Sequence, residues 1–127
     1  MQLNPNCVRD VLIATEANTG YKIYFEYPQE LDKAPSLANY SDEEVRYHIL
    51  QCAKANLIEL NYHDLDGNLG INDLTPSGHE FLANIRSDTV WNNVKAVSSK
   101  IGSTSLSALT QIASGTITAL IKYQLGI

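Results

Sequence analysis

Residues 41–85, SDEEVRYHILQCAKANLIELNYHDLDGNLGINDLTPSGHEFLANI, constrain the fold more than any other stretch of this chain. Ser41 followed three residues later by Glu44 is a capping box, in which the Ser side chain accepts the Glu44 backbone N–H and Glu44 reaches back. The helix it opens gathers Val45, Ile49, Cys52, Ala53 and Leu57 on one narrow arc at 100° per residue. Its other face carries Glu43, Tyr47, Leu50, Gln51 and Lys54, with Arg46 on the flank, and Asn56 is the expected C-cap. Ile58, Leu60 and Tyr62 then alternate at the period of a strand, and Asp66-Gly67 predicts a two-residue hairpin turn. The return strand ends near Leu74, where Thr75-Pro76 caps a helix carrying Phe81, Leu82 and Ile85.

On the N-terminal side, Asn4 and Pro5 open a helix whose stripe is Val8, Val11, Leu12 and Thr15, with Cys7 beside it and Asn18-Thr19-Gly20 as its stop. Residues 21–27 (YKIYFEY) read as a strand, with Tyr21, Ile23, Phe25 and Tyr27 on one face, ended by Pro28. Residues 29–40 read as a loop holding one helical turn. On the C-terminal side, Ser87 caps a helix with Val90, Val94, Val97 and Ile101 in line and Trp91 at the stripe's edge, closed by Gly102. A last helix, from about residue 104 to 124, has a wide apolar face: Leu106, Leu109, Ile112, Ala113, Ile117, Leu120 and Ile121. At 127 residues without an internal repeat or long linker, the chain is expected to be one α+β domain, with a core over 1–86 and a helical extension over 87–127.

Helix, strand, helix, strand, hairpin, strand, helix is the order of a winged helix-turn-helix, in which the helix before residue 57 is the recognition helix and the hairpin is the wing. The chain also resembles an uncharacterised family, a domain of unknown function, of Gram-positive bacteria and their phages. LNPNCVRDVL, YHILQCAKANLIE and DLTPSGHEFLANIRSDTVWNNVK carry that resemblance across most of residues 3–97. The resemblance implies a fold and no activity.

Charge weighs against the DNA reading that a winged helix suggests. Asp42, Glu43, Glu44, Glu59, Asp64, Asp66 and Asp73 lie between residues 42 and 75, opposed by Arg46 and Lys54 alone, so the whole net charge of −5 sits where DNA would dock. Tyr47, Gln51 and Lys54, with Arg46, are the candidate base and phosphate readers. Yet duplex affinity rests on cations, and residues 57–75 hold none. The same outward face, Arg46, Tyr47, Leu50, Gln51 and Lys54, suits a protein partner. The apolar face of the last helix, Leu106, Leu109, Ile112, Ile117, Leu120 and Ile121, is either folded back on Val90, Val94 and Val97 or is a self-association surface. The alternative is a dimeric DNA-binding transcriptional regulator taking its cations from Arg9, Lys22, Arg86, Lys95 and Lys100.

Asp64, Asp66 and Asn68 copy the first three ligands of an EF-hand loop, but Leu69 and Thr75 stand where its Gly and closing Glu belong, so no metal site is expected. His48, His63 and His79 have no metal-ligand spacing with Cys7 or Cys52; His48 reads as a satisfied boundary residue and the cysteines as buried thiols. With no phosphate-cradling loop, nucleophile elbow or HExxH, neither catalysis, a cofactor nor a small-molecule substrate is expected. The polar start MQLNPNCVRD lacks an apolar signal region, and the uncharged run over residues 106–121 is too short to span a bilayer. A cytoplasmic protein is the expectation.

Overall fold

Local capping chemistry sets the helix boundaries. In a computed structural model describing all of Met1–Ile127, α1 spans Pro5–Asn18 and the Asn4 side chain accepts the backbone N–H groups of Asn6 and Cys7. Pro5 at the first helical position loses no hydrogen bond, because that N–H has no helical partner. α2 covers Asp42–Lys54 with Ser41 as N-cap, α3 Pro76–Ile85, α4 Asp88–Ile101 with Ser87 as N-cap, and α5 Leu106–Leu125 with Ser105 as N-cap. Gly102, at φ +81°, closes α4 in the left-handed conformation. Three strands, β1 (Phe25–Tyr27), β2 (Ile58–His63) and β3 (Leu69–Leu74), form an antiparallel sheet in the order β1-β3-β2. The fold is therefore mixed α+β, with five α-helices and one small sheet.

The chain divides into two compact units, Met1–His79 and Glu80–Ile127, the boundary falling inside α3. In the first, α1 packs on α2 and on β3. Cys7, Val8, Val11 and Leu12 are buried with Phe25, Tyr27, Leu37, Val45, Ile49, Cys52, Leu69 and Ile71. Thr75 holds the start of α3 against the end of α2: its N–H donates to the Leu57 carbonyl, its Oγ1 donates to the Asn56 carbonyl, and the Gly78 N–H donates back to Oγ1. Gly78 is required there, because a Cβ would lie 1.9 Å from the Leu57 carbonyl oxygen. In the second unit α4 and α5 pack together as a helical hairpin joined by residues 102–105, burying Trp91, Val94, Leu109 and Ala113.

Several local expectations are corrected. Only residues 25–27 of YKIYFEY form a strand. Lys22 takes φ +61°, and Gly20 and Ile23 close a tight bridge, so Tyr21 and Ile23 are exposed while Phe25 and Tyr27 are buried. Residues 29–40 hold two 3-10 turns, Leu31–Lys33 and Pro35–Leu37. The hairpin turn is longer than two residues. The Gly67 N–H donates to the Asp64 carbonyl and the Asp64 N–H to the Asn68 carbonyl, with Gly67 at φ +83°. Ala55 rather than Asn56 is the C-cap of α2; Asn56 follows it at φ +59°, a conformation Asn tolerates. Ile101 is 65% exposed and leaves the stripe of α4, while Trp91 is 2% exposed and joins its core.

Candidate functional site

The surface built by α2 and the hairpin is held from inside by two side chains. His48 is fully buried, and both ring nitrogens are used. Nδ1 donates to the Glu44 carbonyl (2.7 Å), and Nε2 accepts the backbone N–H of Asn4 (2.8 Å). That pairing requires the neutral ring with its proton on Nδ1. Glu44 does not reach back to Ser41 as a capping box would. Its carboxylate accepts from the Asn4 side-chain amide (3.3 Å), while Ser41 Oγ accepts the Glu44 N–H (3.2 Å). The start of α1 is thus fastened to the first turns of α2 by two hydrogen bonds from Asn4, to His48 and to Glu44, that no local pattern announces.

Arg46 is the second fastening. Its Nε donates to Asp42 Oδ2 (2.8 Å), its Nη1 donates to the Gly67 carbonyl, and its guanidinium lies 5.4 Å from the Tyr27 ring centre. The Tyr27 hydroxyl donates to Asp42 Oδ1 (2.8 Å). One cation therefore ties α2 to β1 and to the hairpin turn. The Arg46 and Tyr27 hydrogen bonds hold the Asp42 carboxyl below its ordinary range, while burial, then the bond to Asp42, pushes the Tyr27 phenol up. In the hairpin, Asp64 Oδ1 accepts the N–H groups of Asp66 and Asn68, and Oδ2 accepts from the Asn68 amide, so that carboxylate serves the turn. Hydrogen bonds from the Asn68 backbone lead the causes that lower it.

Of the five residues expected on the outward face of α2, Lys54 is exposed and Tyr47, Leu50, Gln51 and Arg46 are half-buried. Tyr47 meets His48 edge-on, ring centres 5.1 Å apart. The five do share one helix, but Arg46 points into the fold. Glu59, facing Asp73 across β2 and β3, and exposed Asp64 and Asp66 keep the neighbouring hairpin acidic.

The six residues expected on the face of α5 separate. Leu109 is fully buried and belongs to the core, because α5 does fold back on α4 over its first half. Leu106, Ile112 and Ile117 are half-buried, whereas Leu120 and Ile121 are 45% and 53% exposed. Tyr123, Leu125 and Ile127, also exposed, extend the apolar surface further than the sequence expectation did.

The cysteines are free thiols with no exposed surface. Burial pushes Cys7 up to about 12, helped by Glu44 and Asp10, and burial raises Cys52 as well. No helix is long and apolar enough to cross a membrane.

The model of a family described as hypothetical protein (DUF2513) matches residues 2–105. The chain belongs to this family. The matched segment contains α1 to α4, the whole sheet and both fastenings, and ends where α5 begins. An uncharacterized protein of Haemophilus influenzae is 39% identical over 85 residues, 65% of this chain and 72% of the relative. That relative lends no support to the Gram-positive and phage setting of the resemblance. No solved structure matches the chain. Membership in DUF2513 accordingly brings a shared fold without an assigned activity.

Proposed function

We propose that this DUF2513 protein is a non-enzymatic interaction protein of winged-helix type, cytoplasmic and of bacterial or prophage origin, that binds a protein partner or itself. The winged-helix reading is supported by the β1-β3-β2 order, with α2 leading directly into the β2–β3 hairpin as a recognition helix leads into a wing. The observation that carries the functional reading is the position of Arg46. On an α2–hairpin surface with seven acids, one of two cations is spent on Asp42, Gly67 and Tyr27, leaving Lys54 as the exposed cation of that face. Duplex binding draws its affinity from several phosphate contacts, which one lysine does not supply. Tyr47 and Leu50 offer apolar area on the same face, of the kind that anchors protein interfaces. A non-enzymatic role is supported by the thiols, which burial moves away from the range of reactive cysteines. Free buried thiols also suit a reducing compartment.

The test is affinity capture with wild type and with Tyr47→Ala combined with Leu50→Ala, each checked for fold by circular dichroism. The reading expects proteins retained by wild type and lost by the variant. Identical eluates from two folded proteins would remove the α2 face from the interaction. A second reading, a dimeric regulator, draws support from the same wing-like topology, with cations supplied by Arg9, Lys22, Arg86, Lys95 and Lys100. It expects charge reversal at Lys54 to weaken duplex binding.

A further inference from the structure

α5 is longer than the helix it packs on. Its 20 residues span about 30 Å, against about 21 Å for the 14 residues of α4. Leu109 and Ala113 are fully buried, but every residue from 118 onward is exposed. Beside the buried stripe runs a mainly apolar groove of about 550 Å³, bordered on α4 by Asn93 and Val97. Its α5 wall is Ile112, Gly115, Thr116, Ala119, Leu120 and Tyr123.

Three properties of this wall point to a second copy of the chain. Ile112, Thr116, Ala119 and Tyr123 are spaced by four, three and four residues, the spacing of a helix–helix seam. The seam reads large, small, small, large, so it is complementary to itself when reversed. A twofold arrangement sets Tyr123 on the partner copy's Ile112 and Thr116 on its Ala119. Gly115 adds the second property. Glycine weakens a helix interior relative to alanine, and a Cβ at this position would meet nothing within 4 Å. The fold of one chain has no use for that glycine, whereas a helix laid across it from another copy does. The third is area and charge. Leu120, Tyr123 and Ile127 are 45%, 80% and 82% exposed. With the groove floor, two copies would bury on the order of 1,200 Å², the lower end of specific interfaces. Lys122 is the sole charge on α5, so like-charge repulsion is slight.

We propose that two copies associate through this stripe, α5 crossing α5 antiparallel about a twofold axis beside Gly115 and Ala119. This rests on the reading of the chain as an interaction protein and is independent of the α2 face. Ile121, though apolar and exposed, lies on the opposite side of α5, about 180° from the stripe at 100° per residue. It is the internal control.

Sedimentation equilibrium of the full chain from about 1 to about 100 μM spans micromolar Kd values. Wild type should approach twice the 14.0 kDa chain mass at the upper end. Ala119→Glu places two carboxylates near the axis and should weaken association at least tenfold, while Ile121→Glu should associate as wild type does. Both positions are exposed, so neither change disturbs packing within the chain, and circular dichroism checks helix content. A wild type that stays at 14.0 kDa throughout overturns the proposal, as does an Ala119→Glu chain that dimerises unchanged. Loss of association in Ile121→Glu equal to that in Ala119→Glu overturns it too, by moving the contact to another face. Any of these leaves the α2 reading to its own capture experiment.

Discussion

Arg46 illustrates how one side chain changes meaning when its surroundings are known. On a helical wheel it borders a surface and reads as a phosphate or partner contact. In the fold it satisfies the Gly67 carbonyl, stacks near Tyr27 and pairs with Asp42. Its pair with exposed Asp42 adds little stability alone; the charged bond to a backbone carbonyl and the ring contact matter more. Arg46→Ala should therefore lower unfolding stability by about 1–2 kcal/mol in urea titration. An unchanged midpoint would return Arg46 to the surface. His48 has no such ambiguity. His48→Leu leaves the Asn4 N–H without its acceptor and should reduce stability by about 1–3 kcal/mol. The thiols supply a pH signature. Cys7 is held protonated up to about 12 against an ordinary value of 9.0, with Cys52 raised too. This contribution to stability is complete below about pH 9, and is lost as the pH rises toward the folded value, because only unfolded thiols ionise in that window. Raised phenols at Tyr27 and Tyr40 act in the same direction at higher pH. The urea midpoint should fall between about pH 8 and about pH 11, and both thiols should resist a thiol reagent at about pH 8 until the chain is unfolded. Rapid labelling of native protein would contradict the burial.

Elements whose ends are fixed by neighbouring residues were legible from sequence. Asn4, Ser41 and Ser87 cap the helices they were expected to cap, and Gly102 ends α4, because each acts on groups within a few residues. Legibility failed where the deciding partner is distant. The length of β1 is set by pairing with residues 69–71, so YKIYFEY, which alternates well throughout, is a strand only where β3 runs beside it. Glu44 was assigned to Ser41 but bonds Asn4, forty positions away. Of the candidate site, the shared helix was readable, while the inward turn of Arg46 depends on a glycine carbonyl 21 positions on. The face of α5 divides because its partner helix is shorter, a comparison no periodicity contains. One element contact is sharp enough to test. Gly78→Ala drives a methyl into the Leu57 carbonyl and must displace α3 from the end of α2, lowering stability by about 2 kcal/mol or more. A neutral result would mean that α3 sits further from Leu57 than described.

For the whole molecule, acids and cations are divided by place. The net charge of −5 is concentrated over residues 42–75, and the other cations lie elsewhere in the chain. In the proposed reading, a mixed α+β fold in which α2 leads into an acid-rich β2–β3 hairpin would offer a duplex few phosphate contacts, which is the reason for reading the fold as an interaction protein. The most direct test is fluorescence anisotropy of a generic DNA duplex with the full chain at about 50 mM and about 200 mM salt, since phosphate contacts reveal themselves by salt dependence. The account predicts no binding at the lower salt. Binding that is tight at the lower concentration and falls by orders of magnitude at the higher would contradict it, and would establish the regulator reading in its place.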